Sequence, residues 1–163
     1  MKVVTAFFTG NRMDRTRLVL DLGENRNLKM LVAYVDGGSR GNPGPAGYGV
    51  YILDENGNEL GSLFKNLGIQ TNNFAEYSGL IAALNYASTN NFKRVRIFSD
   101  SELMVRQING IYRVKSPILS GLFEKAKSLI GELEDFSMAH IPRNRNKEAD
   151  RLANLAMNSP MQK

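Results

Sequence analysis

Four acidic residues, Asp36, Glu76, Asp100 and Asp150, are the side chains of this sequence best suited to do chemistry. Each stands at the edge of an apolar segment. Asp36 follows the run Leu31 to Val35 and precedes Gly37-Gly38-Ser39-Arg40-Gly41-Asn42-Pro43-Gly44-Pro45, a glycine-rich turn with little bulk to keep a large ligand's backbone away. A carboxylate at the end of a buried strand is costly unless a cation or a hydrogen bond meets it. Four of them in one small domain suggest a divalent metal site. The chain has no cysteine and one histidine, His140, so the ligands would be oxygens, which favour magnesium, manganese or calcium over zinc.

Each acid also has a local explanation. Asp36 can open a turn, and Asp100, before Ser101-Glu102-Leu103, can cap a helix. Asn73-Phe74-Ala75-Glu76 fits a capping box. Asp150 falls in the first turn of a helix, where the dipole favours a negative charge. What sets the four apart is their shared placement, at strand ends and at the starts of the helices that would cover the sheet. Ligands of open α/β sheets gather there.

The elements that must position them follow from periodicity. Strands are expected at about 30–36, 48–53 and 59–68, the last two joined by a hairpin at Asn56-Gly57. Tyr77, Leu80, Ile81, Ala83, Leu84 and Ala87 define a helix over about 73–88. A strand over 94–99, a short helix to about 108, a helix from Pro117 to about 131, a strand over 136–141 and a helix over 147–157 complete the order. This order predicts an α/β fold: a five-stranded mixed sheet, three strands antiparallel and two parallel, with helices on both faces. The domain is expected over 30–158, followed by a flexible tail at 159–163. Residues 1–29 form a basic extension carrying Val3 to Phe8 and Thr16 to Leu20, read either as a hairpin or as a disordered prefix.

Composition narrows the class. The chain has 163 residues, 42% of them hydrophobic, enough for one domain with a core and too many for a disordered chain. No apolar run approaches the ~20 residues of a membrane span, and residues 3–8 are too short for a signal peptide. The absence of cysteine makes the cytoplasm the expected compartment. The net charge is +5, of which +3 lies in residues 1–29 (six basic, three acidic), compatible with a polyanionic partner.

Residues 30 to 157 resemble a type 1 ribonuclease H. The resemblance is carried, in order, by Tyr34-Val35-Asp36-Gly37-Gly38-Ser39-Arg40-Gly41-Asn42-Pro43-Gly44-Pro45, Thr71-Asn72-Asn73-Phe74-Ala75-Glu76, Phe98-Ser99-Asp100-Ser101 and Ala149-Asp150-Arg151-Leu152-Ala153. It implies an endonuclease that hydrolyses the RNA strand of an RNA–DNA hybrid, leaving 5′-phosphate ends. Asp36, Glu76, Asp100 and Asp150 would hold two Mg2+ ions, with Mn2+ as a substitute. Two such ions ~3.5–4 Å apart can activate the attacking water and stabilise the leaving oxygen. Gly37, Gly38, Ser39, Arg40, Asn42, Asn72 and Asn73 would line the substrate groove, and Arg113 and Lys115 would meet phosphates. The segment His140-Ile141-Pro142-Arg143 looks like that of a sub-branch without the catalytic loop histidine and without the basic protrusion. The resemblance there makes Arg143 the auxiliary catalytic group and His140 structural. The alternatives are a nuclease acting also or mainly on double-stranded RNA, a non-catalytic hybrid-binding domain, or the nuclease module of a reverse transcriptase. A monomer that meets no membrane is expected.

Overall fold

The computed structural model describes residues 29–161. The apolar runs expected to form a hairpin within residues 1–29 lie outside the described residues. The element order is β1 (Met30–Ser39), β2 (Gly44–Asp54), β3 (Glu59–Gln70), α1 (Asn72–Thr89), β4 (Arg94–Ser99), α2 (Glu102–Ile108), α3 (Pro117–Gly131), β5 (Asp135–His140), a 3-10 turn (Arg143–Arg145) and α4 (Lys147–Asn158). One sheet holds the strands in the order β3-β2-β1-β4-β5. β1 pairs antiparallel with β2 and parallel with β4, while β2–β3 is antiparallel and β4–β5 parallel. The sheet is therefore mixed, as the alternation of strand and helix patterns predicts.

Period-two burial along β1 points Leu31, Ala33 and Val35 to one face, where they join Val50, Ile52, Val95 and Ile97. α1 covers that face with Tyr77, Leu80, Ala83, Leu84 and Ala87, and α3 packs behind it through Leu119 and Ala126. Each fully buried leucine, isoleucine or valine here stabilises the fold by roughly 1.5–3 kcal/mol. Within the core the Tyr77 hydroxyl donates to Gln107 Oε1 at 2.7 Å, so these two buried groups satisfy one another.

The glycines after Asp36 are not a turn. Antiparallel pairing continues through Gly37↔Tyr48, Gly38↔Gly47 and Ser39↔Ala46, and the chain reverses only at residues 40–43, closed by the Arg40 amide donating to Pro45 O at 2.9 Å. β1 therefore reaches Ser39 rather than stopping at Asp36. Gly37 has a different use. A Cβ there would collide with the backbone of Ala75 and Glu76, so its absence lets the start of α1 lie directly on the strand. On the other face, a Cβ at Gly49 would strike Ala149 O and Leu152. That face is covered by α4, whose buried side is Ala149, Leu152, Ala153 and Ala156. Glycine on the strand and alanine on the helix together bring α4 into close contact with β2.

Gly49→Ala is accordingly expected to destabilise the protein by about 1–3 kcal/mol, the range for overpacking a tight contact. Gly57→Ala is the comparison: its glycine has φ 83° but open space around it, so only backbone preference is lost. Thermal unfolding of both variants checks this. A Gly49→Ala melting temperature equal to the parent's would show that α4 does not depend on that close approach.

Candidate active site

The parallel pairing of β1 with β4 ends at Val35↔Ser99. The next residue on each strand is an aspartate, Asp36 and Asp100, so register alone sets these two carboxylates side by side where the strands part. Asp36 pairs with Gly49 across β1–β2, and paired residues share a face; this turns Asp36 toward α4, whose first turn carries Asp150. Glu76 arrives from α1, whose backbone at residues 75–76 rests on Gly37. Four separate elements thus deliver four carboxylates to one cavity of about 330 Å³, lined also by Gly37, Gly38, Ser39, Arg40, Asn72, Arg143 and, from α4, Asn154.

The local explanations for three of these acids do not hold. Asp36 opens no turn, because β1 continues to Ser39. The N-cap of α1 is Thr71, whose hydroxyl accepts from the Phe74 amide at 3.2 Å; neither Asn73 nor Glu76 forms a capping box. Asn72 is the first helical residue, which leaves Glu76 a full turn inside the helix. The N-cap of α2 is Ser101, accepting from the Met104 amide at 3.3 Å, and not Asp100. Asp150 does lie in the first turn of α4.

The electrostatics are adverse. Asp36 is only 8% exposed. Burial, and then the charges of Asp100 and Asp150, push its pKa up to about 8, against the partial relief of the Gly37 amide donating to Oδ1 at 2.9 Å. Glu76 is also raised well above the usual carboxylate range, by burial first and then by Asp36 and Asp100. Its Oε2 is shut away from solvent with no hydrogen-bond partner. An orphaned buried carboxylate oxygen facing other carboxylates calls for a cation. The donor set is all oxygen, which fits a hard divalent ion such as Mg2+ or Mn2+. Among the described residues no group of three or more acidic or histidine side chains is placed, as the side chains stand, to hold a metal ion. Two of the four are instead turned to neighbours within the protein. Asp100 Oδ1 accepts from Asn146 Nδ2 at 2.9 Å, and Asp150 Oδ1 lies 3.7 Å from the guanidinium of Arg143.

The remaining expected site residues divide between two places. Asn72 lines the carboxylate cavity, where its Oδ1 accepts from the Ser39 amide (2.8 Å) and hydroxyl (3.1 Å), while its own amide donates to Asn42 Oδ1 at 3.1 Å. Asn42 and Asn72 therefore tie the β1–β2 turn to the start of α1. Asn73, Arg113 and Lys115 line a second groove, with Leu103, Gln107 and Tyr112 among its walls. His140 is the last residue of β5, exposed and apart from the residues that line the cavity. Arg143 lies in the 3-10 turn, 81% exposed, at the cavity's edge. Asn146 is the residue that sequence reasoning passes over: it is 1% exposed, and its amide bridges Val35 O and Asp100. Its position just before a helix reads as an ordinary N-cap, and nothing local signals the bridge.

The raised acids make a pH prediction. Their folded pKa values lie above the unfolded ones, so they favour the folded state at low pH, and that contribution is lost as pH rises through about 8. In EDTA, the melting temperature should fall between about pH 5 and pH 8. Asp36→Asn should flatten that slope, and Mg2+ should raise the melting temperature more at the alkaline end. A melting temperature that climbs over this range in EDTA would contradict the crowding described here.

Known proteins share this arrangement of elements. Residues 34–156 match the family described as reverse transcriptase-like. The bifunctional protein Rv2228c of Mycobacterium tuberculosis is 41% identical over 133 residues, 81% of this chain; the chain spans only 36% of that relative's length. The solved N-terminal RNase H domain of rv2228c superposes with a TM-score of 0.78 at 41% identity, covering 80% of this chain and 94% of that domain. LC11-RNase H1, solved in complex with an RNA/DNA hybrid, gives a TM-score of 0.75 at 44% identity, covering 78% of this chain and 96% of its own. This chain, with the same five-stranded sheet and covering helices, belongs to the reverse transcriptase-like family of ribonuclease H-like proteins.

Proposed function

We propose that this chain is an endoribonuclease that hydrolyses the RNA strand of RNA–DNA hybrids, with two divalent ions held by Asp36, Glu76, Asp100 and Asp150, and leaves 5′-phosphate ends. The observation that carries this reading is the convergence of four carboxylates from β1, α1, the end of β4 and α4 on one cavity beside the bulk-free backbone of Gly37 and Gly38. A relative 44% identical, LC11-RNase H1, has been solved with an RNA/DNA hybrid. A module that only bound nucleic acid would gain nothing from repelling charges beside a phosphate.

Within this reading, residues 30–158 are the catalytic domain and residues 1–29 a basic extension. Divalent ions, when bound, would activate water and offset the negative charge that develops on the phosphate. The protein's own groups do the rest. Burial of Asp36 and Glu76 keeps water from competing for their oxygens. Asn72, held by Ser39, and Asn42, which holds Asn72, keep a rigid polar edge at the cavity for sugar hydroxyls; the 2′-hydroxyl is the feature that separates RNA from DNA. Arg40, Arg113 and Lys115 supply positive charge for backbone phosphates, so recognition is by shape and charge rather than by base sequence. Arg143 is the auxiliary group, as in the sub-branch that the His140-Ile141-Pro142-Arg143 segment resembles. It is exposed and loosely paired with Asp150, so it can turn to a scissile phosphate without losing a buried interaction.

The test is cleavage of labelled hybrid, double-stranded RNA and double-stranded DNA with Mg2+, Mn2+ or EDTA. Cleavage confined to the RNA of the hybrid, and dependent on metal, is expected. A protein that binds the hybrid but cuts nothing in either metal would refute the enzyme reading, and preferential cutting of double-stranded RNA would reassign the substrate. Asp36→Asn should lose more activity than the roughly 100-fold that follows loss of a mere hydrogen-bond partner of a metal ligand, with hybrid binding retained. Arg143→Ala should slow turnover about tenfold, equivalent to ~1.4 kcal/mol, and His140→Ala much less. The opposite ranking would transfer the auxiliary role to the histidine.

A further inference from the structure

Asn146 occupies the N-cap position of α4, yet its side chain caps nothing. An asparagine at that position ordinarily offers its side-chain oxygen to the second or third amide of the helix. Here Oδ1 is buried and accepts no hydrogen bond. The whole polar capacity in use is the amide nitrogen. One N–H goes to Val35 O at 2.9 Å and the other to Asp100 Oδ1 at 2.9 Å. Both partners can only accept, a backbone carbonyl and a carboxylate, so chemistry fixes which end of the amide faces them. The side chain is 1% exposed.

The two acceptors mark the point where the sheet splits. Val35 is the last β1 residue paired with β4, and Asp36 follows it. Asp100 follows Ser99, the last β4 residue in that pairing. Asn146 therefore fills the gap between the parting strands. Through its own carbonyl it also receives the Asp150 amide at 3.0 Å, the bond that starts α4. One residue is thus bonded to the backbone beside Asp36, to the carboxylate of Asp100 and to the backbone of Asp150.

We propose that Asn146 is a positioning residue for the metal-binding carboxylates: by holding Asp100 Oδ1 it sets the rotation of that carboxylate and leaves Oδ2 available to a divalent ion. This rests on the metal-dependent reading above. Stability alone does not account for the residue. A capping serine or aspartate would satisfy the helix better, and the present arrangement leaves a buried oxygen unmatched. What the asparagine supplies, and serine, aspartate or alanine cannot, is two N–H donors at fixed separation on an uncharged group. Aspartate would add a fifth negative charge to the cluster.

The experiment measures Mg2+ binding to the free protein by calorimetry, with no substrate present, for the parent, Asn146→Ala and Asn146→Ser, each checked for folding by circular dichroism. The expected result is a dissociation constant about 10–100-fold higher in both variants, the usual loss when a hydrogen-bond partner of a metal ligand is removed. Affinity for the hybrid in EDTA should be unchanged. If the parent binds Mg2+ and folded variants bind it equally well, the positioning role fails while the metal-dependent reading stands. If the parent itself binds no Mg2+, both fail. A second measurement needs no variant: the side-chain NH2 resonance of Asn146 in the parent should shift on Mg2+ addition with the same dissociation constant. A resonance that stays fixed while Mg2+ binds overturns the proposal even if neither variant folds.

Discussion

Negative charge held out of water is the constraint around which this end of the molecule is arranged. Asp36 is almost sealed from solvent, Asp100 and Asp150 stand close enough to raise its pKa, and Glu76 has an oxygen that nothing answers. Hydrophobic burial elsewhere supports this cost; the cluster does not contribute to it. Arg143 and Asn146 each relieve one carboxylate, from the loop side and from within the protein. Neither is hydrogen-bonded to Glu76 Oε2, the carboxylate oxygen that is left most in need of a cation.

Close packing is what makes such crowding possible. Helices that cross a sheet at an ordinary distance would keep their carboxylates apart. Here Gly37 admits α1 and Gly49 admits α4, one on each face, so that acids on two helices meet Asp36 on β1 and Asp100 just beyond β4 at the same sheet end. The same residues therefore serve the fold and the site, and a methyl group at either glycine would disturb both.

The extent to which the sequence reveals this depends on how local each signal is. The strand at 94–99 and the helix from Pro117 to 131 are legible because their periodicity and boundaries lie within their own segments. The mixed character of the sheet follows from the alternation of elements. The reversal after β1 is not legible locally, because Gly37 and Gly38 look like a turn until β2 pairs with them and α1 is seen to need the room. Thr71, Asn72 and Asn73 are all good N-caps by composition, and only the backbone geometry selects Thr71. Asn146 is the least legible, since its bond to Val35 spans 111 positions and its local context suggests a different role.

Asn72 and Asn73 are consecutive, yet one borders the carboxylate cavity and the other the groove of Arg113 and Lys115. The first turn of α1 thus borders both cavities. Anything that occupies both must straddle it, and the separation of its two halves is then fixed by the width of a helix rather than by a loop. A helical turn anchored by Thr71 makes a stiff ruler, so such a ligand would be selected by its girth as well as by its charge.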